Sequence, residues 1–240
     1  MLQQNRLHAL DAVRAFALLM GLVLHGAFSF IPGMFPGVWA FVDNSPSTTL
    51  SVVVFATHIF RMALFFFIAG LFARMMWMRK GADGFWLDRA LRILLPLAVL
   101  WPVLDAWVGT VWKWGVSVYF NGNVPAFPGA GAGAPRPFGA MSWDHLWFLY
   151  VLCVLYVGML TVRSLVTAFD KRDVVGTALE TWLVWLVRSG AAAVLLGLPL
   201  FAALLGNKTW IAFFGIPTPD NSFFTNQYAL IGFGTAFGIG

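Results

Sequence analysis

Charge is what this chain has least of. Only 10% of its 240 residues are Asp, Glu, Lys or Arg, while 60% are hydrophobic. A soluble domain carries about 25% charged residues, because a chain folded in water needs a polar exterior. The shortage excludes an ordinary soluble enzyme and a disordered chain. Cysteine is nearly missing too. Cys153 stands alone, so no internal disulfide framework exists. It lies in an apolar run and reads as a buried, inert thiol. The chain has no histidine pair at metal-ligand spacing and no cysteine cluster, so no metal site is expected. It has no phosphate-binding loop. The run GFGTAFG at 232–238 lacks the strand context of a dinucleotide site. It reads as small-residue helix packing. The net charge is +5, but 15 basic residues scattered among apolar runs are not a nucleic-acid footprint. No nucleic-acid partner is expected.

What is abundant is apolar length. A membrane-spanning helix needs roughly 20 apolar residues. No charged residue lies between Arg14 and Asp43, which predicts a span at 12–31, broken after it by Pro32 and Pro36. Further spans are expected at 50–72, 91–110, 144–162, 189–205 and 223–240. The last is still apolar where the sequence stops, so the chain is read as the front part of a longer protein. The segment 113–143 reads as a flexible loop, with PAFPGAGAGAPRPFG at its centre. Residues 174–187 read as an interfacial helix. The fold class expected is all-α: a polytopic transmembrane helix bundle forming a single integral membrane domain over 1–240.

Basic residues set the orientation. Arg6, Arg14, Arg74, Arg79, Lys80, Arg89, Arg92, Arg163, Lys171, Arg172 and Arg188 fall on one side. Only Lys113, Arg136 and Lys208 fall on the other. Eleven against three places the N-terminus in the cytoplasm.

An ionisable group inside a span is costly, and is therefore a functional-site candidate. His25 follows Arg14 by 11 residues. On a helix that is about 16.5 Å along the axis and about 20° in projection. Arg14 then sits at the cytoplasmic mouth and His25 deep on the same face, with Asp11 one turn before Arg14 and able to pair with it. A neutral imidazole is a natural general base near pH 7; the plainer reading is a histidine bonded to a neighbouring helix. His58 and Arg61 lie one turn apart in the next span, with Asp105 a possible ion-pair partner; snorkelling to the interface is the alternative. Arg89 and Arg92 share a helix face at i, i+3 and either clamp a phosphorylated ligand or anchor to lipid head groups. In SWDHLWFLYVL, Asp144 or Ser142 reads as a helix cap. Trp143 and Trp147 read as an aromatic belt, with His145 facing the outer vestibule.

Three stretches resemble one family. RLHALDAVRAFALLMGLVLHGAF resembles the first span of the membrane-bound acyltransferase 3 family, with its Arg, ten residues, then His at Arg14 and His25. FFFIAGLFARMMWMRKGADGFWLDRALRILLPL is similar to the family's second span, cytoplasmic loop and third span, with the Arg-x-x-Arg pair at Arg89 and Arg92. HLWFLYVLCVLY at 145–156 resembles the branch containing the glucan succinyltransferases of bacterial envelopes. The Gly-Phe-Val-Pro-Pro motif of some members is absent.

The resemblance implies an integral membrane O-acyltransferase of about ten spans, six of them in this sequence, in the bacterial inner membrane. Such an enzyme moves an acetyl or succinyl group from cytoplasmic acyl-CoA, a donor substrate rather than a bound cofactor. The acceptor is a hydroxyl of an extracytoplasmic carbohydrate or glucan. It makes His25 catalytic, with Arg14 in the same motif and Asp11 orienting it. Arg89 and Arg92 bind acyl-CoA. His58, Arg61 and His145 line the acceptor side. The competing expectation is a transporter or channel with a His/Arg-lined path, although the sequence shows no internal repeat.

Overall fold

The computed structural model describes residues 8–34, 39–123, 143, 146–170, 172–207, 210, 215–217 and 226–240. These residues are 83% helical and contain no strand. In chain order the helices are α1 (His8–Ala27), α2 (Thr48–Arg89), α3 (Leu95–Tyr119), α4 (Trp147–Phe169), α5 (Val174–Arg188), α6 (Ala192–Leu204) and α7 (Gln227–Ile239).

Among the described residues, three apolar helical stretches are long enough to cross a membrane: His8–Phe30, Thr48–Tyr119 and Trp147–Phe169. The middle one has 72 residues, or about 108 Å of straight helix, against a hydrocarbon core of about 30 Å. It does not run straight. Gly81 takes φ 67° and ψ −168°, a conformation that only glycine adopts without strain. A π turn, Ala90–Leu94, follows. Pro96 comes two residues after this turn ends. Its ring would collide with the carbonyl of residue 92 in a regular helix, and the wider turn relieves that clash. Between them these two features join the expected spans 50–72 and 91–110 without a loop. α6 and α7 have 13 residues each, within the stretches expected at 189–205 and 223–240.

Among the described residues the helices pack through two apolar clusters. Phe66 of α2, Val151 and Leu152 of α4, and Phe233 and Phe237 of α7 form the larger one, with Phe85, Ile93 and Tyr156 at one end. Phe66 and Phe233 stack at 4.8 Å. The glycine-rich α7 lies close against α2. A side chain on Gly70 would strike the Phe237 carbonyl, which is the close backbone approach that small residues permit. The smaller cluster joins Leu24, Ala27 and Phe28 to Val54 of α2. Many large apolar side chains face outward, including Leu18, Leu19 and Leu22 of α1, Trp107 of α3 and Val162 of α4. A bilayer-facing surface has this character.

Several boundaries depart from the sequence reading. α1 ends at Ala27 and passes through a 3-10 turn, Phe28–Phe30. Ile31 is extended (φ −72°, ψ 126°), as the residue before a proline tends to be. His25 therefore lies in the last turn of α1, not in mid-helix. α3 runs on to Tyr119, so Lys113–Tyr119 is helix rather than loop. The Pro/Gly/Ala run beyond it lies outside the described residues. Trp143 and Trp147 do not form an aromatic belt. Trp143 is buried and stacks on Tyr150 at 4.5 Å, and Trp147 packs on Phe233.

Candidate active site

Two polar clusters occupy opposite ends of α1. The first surrounds His25. Its ring stacks on Trp39 (5.7 Å, 6° between planes) and lies 6.1 Å from Phe28. The Trp39 indole N–H donates to Ser29 Oγ at 3.2 Å, and Trp112 of α3 meets the same indole edge-on at 5.2 Å. Phe41 and Trp114 repeat this contact nearby. The far end of α3 thus returns to the side where α1 ends and α2 begins. That start is capped by Ser47, whose hydroxyl accepts the Leu50 N–H at 3.3 Å.

His58 reaches the cluster through Phe28, edge-on at 6.5 Å. One turn further along α2, the Arg61 guanidinium packs against Gly21 of α1. Any side chain at 21 would occupy its place. Arg61 Nε is buried without a hydrogen-bond partner among the described residues. Gly21 lies one turn from His25 on α1, so His25, His58 and Arg61 gather around the α1–α2 seam. His145 and Asp144 lie outside the described residues.

The second cluster lies at the Arg14 end. Arg14 sits 5.1 Å from the Phe72 ring of α2, and Asp11 is in the first turn of α1. At the end of α2, Asp88 is buried. Its carboxylate accepts from Lys80 Nζ at 3.1 Å and from Arg89 Nη2 at 2.9 Å, and pairs with Arg92 Nε at 3.3 Å. Asp88 lies between the two apolar stretches 50–72 and 91–110. Burial pushes its carboxyl up. The Lys80 hydrogen bond and the charges of Arg89, Arg92 and Lys80 outweigh burial and hold it below its ordinary value.

The Arg89 and Arg92 side chains project differently. The Arg92 side chain is 72% exposed, while that of Arg89 is 15% exposed. Arg89 turns inward, donating from Nη1 to Tyr156 Oη of α4 at 3.1 Å. Arg14 and His25 do not meet; about 16.5 Å of helix separates them.

Sequence reasoning missed Asp88, Tyr156 and Trp39. Asp88 was readable, because it stands four residues before Arg92, at helical ion-pair spacing. Tyr156 closes the 145–156 motif but carries no signal separating it from core aromatics. Trp39 depends on a loop path that no periodicity encodes. Among the described residues no group of three or more His, Cys, Asp or Glu is placed to hold a metal ion.

A family model described as an acyltransferase domain matches residues 7–239. The chain belongs to the acyltransferase 3 family. It is 28% identical over 154 residues to glucans biosynthesis protein C of Shigella dysenteriae serotype 1. The same protein of Escherichia coli strain SMS-3-5 matches at the same identity over the same length. Each match covers 63% of this chain and 37% of the relative. The chain thus matches little more than a third of these relatives' length. No solved structure matches it significantly. Family membership, together with the three long apolar helices, makes this a multi-pass helical membrane protein.

Proposed function

We propose that this acyltransferase 3 protein is an O-acyltransferase of the bacterial inner membrane, with its N-terminus in the cytoplasm. It takes an acetyl or succinyl group from cytoplasmic acyl-CoA and passes it to a hydroxyl of an extracytoplasmic carbohydrate. The relatives' printed name points to a glucan as acceptor. The observation that carries this reading is the separation of two clusters along α1. Arg14, Arg89 and Arg92 lie at the end that the basic residues assign to the cytoplasm. His25, His58 and Arg61 lie toward the other end.

Coenzyme A has phosphates at one end and the thioester at the far end of a long, thin arm. Guanidiniums suit the phosphates, because they are permanently charged forks of donors. Asp11, one turn before Arg14, orients it. The arm runs along the α1–α2 seam and brings the thioester to His25. There the acceptor hydroxyl oxygen attacks the thioester carbonyl while the His25 imidazole takes its proton. The C–S bond then breaks, and the departing coenzyme A thiolate takes up the proton from His25. His58 and Arg61 line the acceptor side.

Sealed vesicles of both orientations test this. Radiolabelled acetyl-CoA and succinyl-CoA are supplied outside each, with acceptor carbohydrate on the opposite face. Label is expected in the carbohydrate only when the donor meets the cytoplasmic face. Equal labelling from either face contradicts the proposed direction. No labelling in either orientation favours a transporter.

A further inference from the structure

A phenol hydroxyl buried within an apolar helix bundle is costly unless bonded. Tyr156 is buried among Phe85, Ile93 and Phe237. Its ring meets Phe85 at 5.5 Å and Phe237 at 5.4 Å, both edge-on. Phenylalanine would make the same contacts. What only the hydroxyl supplies is the acceptor for Arg89 Nη1 at 3.1 Å.

Arg89 is held from several directions. Nη2 bonds Asp88, and the guanidinium lies 5.5 Å from both the Phe85 and Tyr156 ring centres. Nε is buried and has no hydrogen-bond partner among the described residues. The Nε donor of a largely buried cation is thus left to give. Three residues on, Arg92 shares Asp88 but projects outward. Without the Tyr156 hydroxyl, Nη1 loses this acceptor, and only the Asp88 bond and the two ring faces hold Arg89 inward.

We propose that Tyr156 is a positioning residue: its hydroxyl holds Arg89 inward, so that an anionic group on the incoming donor meets a guanidinium already fixed in place. This rests on the reading above that the donor is a phosphorylated thioester. Tyr156 does not touch the reacting atoms, so its loss acts on donor binding and not on the chemical step.

The test is a double-mutant cycle on the full chain in lipid nanodiscs, with Tyr156→Phe, Arg89→Ala and the double variant. Binding of free coenzyme A is measured by calorimetry, and KM and kcat for acetyl-CoA and succinyl-CoA are measured alongside. Melting temperature reports folding. Tyr156→Phe is expected to weaken coenzyme A binding and raise donor KM about fivefold, with kcat within twofold of wild type. A fivefold change is about 1 kcal/mol, the size of one hydrogen bond. In the Arg89→Ala background the same change should have almost no effect. Unchanged KM and binding in a normally melting Tyr156→Phe protein overturns the proposal. So does a fall in kcat alone, or full additivity with Arg89→Ala. A wild type that binds coenzyme A but transfers nothing refutes the acyltransferase reading, and the binding cycle still decides on Tyr156. A wild type that binds no coenzyme A overturns both.

Discussion

Asp88 is the keystone of the cytoplasmic cluster, and Asp88→Asn tests its weight. The carboxylate is 4% exposed and faces three cations. Lys80 and Arg92 are 46% and 72% exposed, and such pairs contribute about 0–1 kcal/mol each. Arg89 is different. Its bond to Asp88 is charged and largely buried, worth roughly 1.5–3 kcal/mol, and its loss leaves a buried cation with only Tyr156 and two ring faces. The sum is a destabilisation of about 3 kcal/mol. For a chain of this size that lowers the melting temperature by about 6–12 °C. The assay is thermal unfolding in detergent at neutral pH, beside Lys80→Ala and Arg92→Ala, each expected to cost about 4 °C or less. The pH dependence has a definite sign. Asp88 is held below its ordinary value in the folded state. Its stabilisation is complete above the unfolded carboxylate value of about 3.9 and is lost as pH falls through the lower folded value. Wild type and Asp88→Asn should therefore differ by a constant amount near neutrality and converge in acid. An Asp88→Asn protein that melts within about 2 °C of wild type, or no worse than Lys80→Ala, refutes the argument.

Gly70→Ala should destabilise the chain by about 1–3 kcal/mol, because its new methyl meets the Phe237 backbone carbonyl, which cannot swing away; a melt equal to wild type would show that α7 does not sit there. Trp39→Ala removes the stack on His25 and the edge contact with Trp112. At about 0.5–1.5 kcal/mol per aromatic pair, it should lower turnover roughly tenfold with donor KM unchanged, and a KM effect alone would argue against a role at His25. Ser29→Ala removes only the Trp39 hydrogen bond, so its turnover should fall about threefold or less; a loss as large as that of Trp39→Ala would contradict this ranking.

Helical character was legible because charge-free runs leave few alternatives. The run after Arg14 marked α1, and Pro32 marked where it must stop. Its early end at Ala27 was not legible, since Phe28–Phe30 is as apolar as the helix before it. That difference moves His25 from mid-helix to the last turn, within reach of Trp39. The 50–72 and 91–110 stretches were visible as apolar runs, but the break at Gly81 was not, because Gly84 is an equal candidate on composition. Arg89 and Arg92 were legible as a helical pair. Their divergence was not, because it depends on buried Asp88, on the π turn before Pro96 and on a tyrosine 67 residues away. Spacing along one helix predicts a shared face; it does not predict which rotamers a third element selects.

His25 carries the central claim, and the direct measurement is acyl transfer by His25→Ala in membrane vesicles. Wild type and variant are matched for expression and for coenzyme A binding, with radiolabelled acetyl-CoA and succinyl-CoA as donors. The account predicts that coenzyme A binding survives, since the cationic cluster lies about 16.5 Å away along α1, while transfer to carbohydrate falls by about 100-fold or more, the typical contribution of general-base catalysis. Full transfer by a well-expressed His25→Ala protein would contradict it.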